Sequence, residues 1–102
     1  MALAKATLGT SIGTVYTSTN DSATTSIFFT NDNASARTID VHLVANGDTA
    51  DATNRIIKNL SIDGTDTYVM SQEKIVFSNG DTIQALCSDA SSVYATVSYV
   101  SI

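Results

Sequence analysis

The sequence predicts an all-β fold: a single antiparallel β-sandwich of jelly-roll or immunoglobulin-like type, with eight or nine short strands. Three observations carry the prediction. First, turn-forming clusters rich in Gly, Asn, Asp and Ser recur every 8–12 residues or so, with apolar runs of strand length between them. Second, Arg37–Ala45 alternates strictly: Ile39, Val41 and Leu43 point one way, and Thr38, Asp40 and His42 the other. That is the period of a strand with one face buried. Third, the composition lacks the makings of helices. Nine of the ten acidic residues are Asp, which favours turns and caps, and there are three lysines and a single glutamate, Glu73. Val, Ile, Thr and Tyr suit pleated strands instead.

Taken in order, strands are expected over Leu3–Leu8, Ser11–Ser18, Thr24–Thr30, Arg37–Ala45, Arg55–Ile62, Thr67–Met70, Lys74–Phe77, Thr82–Ser88 and Val93–Ile102. The turns between them are Leu8-Gly9-Thr10, Thr19-Asn20-Asp21-Ser22, Asn31-Asp32-Asn33, Asn46-Gly47-Asp48, Asp63-Gly64-Thr65, Asn79-Gly80-Asp81 and Ser88-Asp89-Ala90-Ser91. Met1–Leu8 has the weakest pattern and reads as a free N-terminal arm. The longest loop is 46–54, with room for one helical turn capped by Asp48 or Thr49. The last strand runs to the final residue. The 102 residues make one domain, 1–102, and the expected core is Ile27, Phe29, Ile39, Val41, Leu43, Ile83, Ala85, Val93 and Val97.

Composition also limits function. Charged residues are 15% of the chain, against about 25% in an average domain. A net charge of −5 argues against a nucleic-acid surface. No apolar run approaches the roughly 18 residues of a membrane helix, and no leader pattern opens the chain. Cys87 is alone, so no internal disulfide forms, and its alternation with Ile83 and Ala85 puts it in the core. His42 is the only histidine. Asp40, two residues away, would share its face and could orient the ring as a general base, but a solvated polar face explains the pair equally simply. Asp63-Gly64-Thr65-Asp66 and Asp48-Thr49-Ala50-Asp51 each gather two carboxylates, yet neither has an EF-hand spacing, and turn chemistry accounts for both. No catalytic, cofactor-binding or metal-ligating residue is assigned, and an enzyme has nothing to stand on.

Several apolar residues fall out of register with the core: Phe28, Val44, Leu86, Val100 and Ile102. On a lone sandwich they would be wet. They are the expected subunit interface of a homo-oligomer, with a trimer as the state in view; the rival is that they pack inside a closed barrel or beneath the 46–54 loop.

Three stretches carry a family likeness: Ile27-Phe28-Phe29-Thr30-Asn31, Arg37 through Val44, and Ile75-Val76-Phe77-Ser78-Asn79-Gly80-Asp81-Thr82-Ile83-Gln84-Ala85. With Tyr16-Thr17-Ser18, Gly47 through Ile57, Asp66-Thr67-Tyr68-Val69 and Ser91 through Tyr99, the sequence resembles small β-sandwich virion proteins of tailed bacteriophages from about Thr14 onward. The resemblance implies a non-enzymatic structural protein of the virion, assembled in the bacterial cytoplasm. Its partners would be copies of itself and the major capsid protein or other virion proteins, with no nucleic acid or membrane. A capsid decoration or cement protein is the first expectation; a neck, tail or fibre accessory protein is the alternative. Ala45-Asn46-Gly47-Asp48 departs from the family pattern, where a proline-containing turn is expected. A different class, a carbohydrate or host-receptor module, would use Tyr16, Tyr68, Tyr94 and Tyr99 as stacking platforms.

Overall fold

The computed structural model describes residues 2–71 and 74–102. Nine strands follow one another: β1 Ala2–Thr7, β2 Gly13–Thr17, β3 Ser22–Asn31, β4 Arg37–Val44, β5 Arg55–Ile62, β6 Thr67–Met70, β7 Val76–Phe77, β8 Thr82–Cys87 and β9 Val93–Ser101. Each lies within a few residues of its expected place. All pairings are antiparallel. One sheet runs β1-β9-β3-β6, with β7 pairing the start of β3 beside β6, and the other runs β2-β8-β4-β5.

That order decides between the two expected topologies. Apart from the two-residue β7, the chain pairs first strand with last, second with next-to-last, and so on inward to the β4–β5 hairpin. Successive pairs alternate between sheets. This is a long hairpin rolled upon itself, the double Greek key of a jelly roll. The roll brings β1 in as an edge strand, paired with β9 from Ala2↔Tyr99 to Thr7↔Tyr94. The free arm expected over residues 1–8 is therefore a strand across Ala2–Thr7, held by its ladder; Met1 lies outside the described residues.

The core lies where the inner faces meet. Ile27 and Phe29 of β3 and Val93, Ala95 and Val97 of β9 face Ile39 and Val41 of β4 and Ile83, Ala85 and Cys87 of β8, all buried. Leu43 shares their face but is only partly buried, because it borders a cleft with Ile75 and Phe77 on the open side of the sandwich. Tyr16 packs into the core edge-on to Phe77 at 5.7 Å and tilted against Tyr99 at 4.6 Å. The Cα radius of gyration, 12.8 Å, is that of one compact domain of about 100 residues, around a single core.

Side-chain hydrogen bonds lock the corners. Asn31 is fully buried, and its Nδ2 donates to the carbonyls of Ser35 (2.9 Å) and Ile62 (3.0 Å) while its Oδ1 accepts from Asn33 N–H. At the opposite end Asp81 takes Asn46 N–H at 2.9 Å on one oxygen and Ser78 N–H at 2.9 Å on the other. This explains the departure at Ala45–Asp48. Gly47, at φ +89°, is the third residue of a type II turn closed by Asp48 N–H on Ala45 O. Proline would suit the second position, but Asn46 stands there because its N–H is needed by Asp81.

Candidate functional site

Alternation and register decide what each sheet shows to solvent. On the β1-β9-β3-β6 sheet the inner set is Ala4, Ala6, Val93, Ala95, Val97, Ile27, Phe29, Tyr68 and Met70. The outer rows then follow from the pairing. One row runs Lys5, Thr96, Phe28, Val69; the next Thr7, Tyr94, Thr30, Thr67. Toward the other end come Leu3 beside Ser98, then Val100, Ala23 and Val76. Phe28 is 36% exposed and Val69, directly across from it, 43%; Leu3, Val76 and Tyr94 are also exposed. The face is a mixture of apolar and hydroxyl side chains.

Its electrostatics are unusual for this protein. In the five strands of this sheet Lys5 is the only Asp, Glu, Lys, Arg or His. The other sheet carries Arg37, Asp40, His42, Arg55 and Lys58. The remaining described carboxylates stand in the segments between strands. At the edge of the neutral face Lys74 folds its ammonium back to the Thr25 carbonyl at 2.9 Å and to the Ser71 carbonyl. Thr25 is the extra residue of a bulge in β3, and its hydroxyl donates to Ser98 Oγ at 2.7 Å. The lysine satisfies a carbonyl that the bulge takes out of the ladder.

Of the five residues expected at an interface, the roll brings Phe28 and Val100 onto this one face. Ile102 is 70% exposed just past β9, its N–H on Asp21 O. Leu86 is on the other sheet, half-buried and paired with Asp40. Val44 is a correction: it is 3% exposed and offers nothing to a partner. It ends β4 at the cleft lined by Leu43, Ala45, Ile75–Phe77 and Asp81. Sequence reasoning missed Val69, Val76 and Leu3, which complete the patch. A four-residue strand such as β6 has too little alternation to assign its faces; only the Phe28↔Val69 pairing does so.

The candidate chemistry dissolves on inspection of its partners. His42 is 5% exposed, so its face is not solvated as expected. Asn54 Nδ2 donates to Thr49 O at 3.0 Å, which turns the amide oxygen toward the ring, and His42 Nδ1–H donates to it at 2.8 Å. Asp40 does not orient the ring. Its carboxylate accepts Asn59 N–H at 2.8 Å, holding Asn59 at φ +53° in a bulge of β5, and stands 4.0 Å from Arg55. Cys87 is buried as expected, its thiol on Asp89 O at 2.9 Å.

Both acidic pairs are turn chemistry. In 51–54 the Asp51 carboxylate accepts Thr53 N–H at 2.9 Å and the Thr53 hydroxyl. These bonds hold its carboxyl below the usual carboxylate range, the hydroxyl contributing most. The loop makes turns here and no helical turn, so neither Asp48 nor Thr49 caps one; the side chain that ties the turn is Asp51. In 63–66 Asp66 N–H closes on Asp63 O. Among the described residues no three His, Cys, Asp or Glu side chains gather as metal ligands. No described helix is long and apolar enough to cross a membrane. Of the four tyrosines, Tyr16 is buried in the core, Tyr68 and Tyr99 are partly buried against it, and Tyr94 faces outward. No protein-family model, curated protein or solved structure matches this chain.

Proposed function

We propose that this protein is a non-enzymatic structural subunit of a tailed-bacteriophage virion, most simply a capsid decoration or cement protein that works in many copies against the shell. The observation that supports the reading is the outer face of the β1-β9-β3-β6 sheet: apolar and hydroxyl side chains with Lys5 as its one charged strand residue, on a chain of net charge −5. Depletion of charge at the centre of a patch, more than bulk hydrophobicity, marks surfaces that meet another protein. The sequence resemblance to small phage virion proteins supplies the setting. A rolled sandwich with locked corners suits a part that is held rigid, and a disulfide-free chain suits assembly in a reducing cytoplasm.

Quantitative mass spectrometry of purified particles tests the proposal. Hundreds of copies per particle are expected for a shell component. About six or twelve copies would move the protein to the symmetric neck or tail, and absence from the particle would end the virion reading.

A further inference from the structure

We infer that two copies of this chain pair back to back through the outer face of the β1-β9-β3-β6 sheet, as an isologous dimer. The inference deepens the functional reading, since it names the partner of the same face. The first argument is electrostatic. Two molecules of charge −5 repel wherever their carboxylates meet, and among the described residues every carboxylate but Asp40 lies in a segment between strands. The outer face of the β1-β9-β3-β6 sheet has none in its strands, so it can meet its own copy without juxtaposing like charges at the centre. Lys5 stands on the edge strand β1, where its long side chain reaches rim water.

The second argument is size and anatomy. Strand length and spacing give the face roughly 500 Å² in projection. Side chains corrugate it, so its accessible area approaches the order of 800 Å² per partner that stable pairs bury. The apolar residues lie toward the β6 and β7 edge of the face, away from Lys5: Phe28 of β3 beside Val69 of β6, and Val100, Ala23 and Val76 in one row. Thr96 stands beside Phe28, and Thr7, Thr30 and Thr67 fill the next row; a hydroxyl both donates and accepts, so one that meets its counterpart across a two-fold axis can bond to it. Two identical twisted sheets stack at about −30° with side chains interdigitated, as the two sheets within one sandwich do. The product is closed, which limits growth to a pair.

Sedimentation of the isolated chain at about 100 μM, a loading suited to an interface of this modest area, is the test. Twice the chain's mass is expected. Phe28→Asp and, separately, Val69→Asp should each give a monomer with the parent's far-UV dichroism. Ile56→Asp, an exposed apolar position on β5 of the other sheet, should leave the dimer intact. Hydroxyl-radical footprinting of the parent needs no variant: Phe28 and Tyr94 should be protected at high concentration and lose protection on dilution. A monomeric parent, a trimer, a dimer that survives both face variants, or footprints independent of concentration would each overturn the pairing. A monomer in solution that is nonetheless abundant in particles would sink the dimer and leave the virion reading standing. A dimer absent from particles would do the reverse.

Discussion

Gly64 and Thr65 show how one position is chosen for contact and its neighbour then bears the strain. Asp63–Asp66 is a tight turn, and its third residue needs positive φ, a place where glycine is the usual solution. Here Thr65 occupies it, at φ +62°. The glycine comes one residue early because a Cβ at position 64 would lie 2.1 Å from the Ala34 carbonyl oxygen. The turn is pressed against the 33–34 loop, and Thr65 N–H completes the contact on Asn33 O at 2.9 Å. Gly64→Ala should therefore cost about 2–4 kcal/mol, read as a lower urea midpoint, since backbone has to move to admit the methyl group. Thr65→Asn should stabilise by up to about 1 kcal/mol, because Asn tolerates the left-handed region that a β-branched residue does not. Loss of stability in Thr65→Asn would mean that the threonine hydroxyl matters more than its backbone strain.

Among the elements, the β4–β5 hairpin departs furthest from a plain alternating ladder. Two register shifts interrupt β5 against β4, and they twist an edge strand that would otherwise be a template for further pairing. The 45–54 connection then covers His42, with Asn54 as its clasp and Asp51 as the side chain that ties its turn. Because the Asp51 carboxyl is held below 3.8 in the folded chain, its bonds to Thr53 are fully present above that value. They are lost as pH falls through the depressed folded value, so the contribution disappears on the acid side, below about 3.8. An NMR titration of Asp51 should give a midpoint under 3.8, and Thr53→Val should raise it toward 3.8, since the hydroxyl is the largest cause. An unmoved midpoint in Thr53→Val would assign the depression to the backbone N–H bonds instead.

For the whole molecule, the asymmetry between the two sheets is the property with functional weight. One outer face carries charges of both signs and His42 beneath its own loop; the other is open, with Lys5 as its one charged strand residue. Phe28→Ser combined with Val100→Ser should leave the chain folded with a modestly lower unfolding midpoint, because neither side chain belongs to the buried core although both are partly covered. The same double variant should be missing from particles that incorporate the parent protein. Loss of the fold would show that these residues hold the sandwich together, and normal incorporation would show that the face is idle.

By itself the sequence determined the fold class, the strand positions and about half of the core, leaving out Leu8, Val15, Tyr16, Ile62, Met70, Phe77 and Ala95. Those are local quantities: period-two alternation and turn residues act over a few positions, and Ile39, Val41 and Leu43 announce their face without any partner. It left the jelly-roll and immunoglobulin-like orders unresolved, because strand order depends on pairings such as β1 with β9 that span the chain. Phe28 and Val100 were legible as out of step, but so was Val44, and alternation cannot distinguish an outward residue left open from one the fold buries. His42 and Asp40 likewise read as a pair from their spacing, while Asn54 and Asn59, brought in by the hairpin, took one each. What only the tertiary structure decided is which outward residues share a surface. That follows from the register between strands distant in sequence, where one residue of slip exchanges the inner and outer sets.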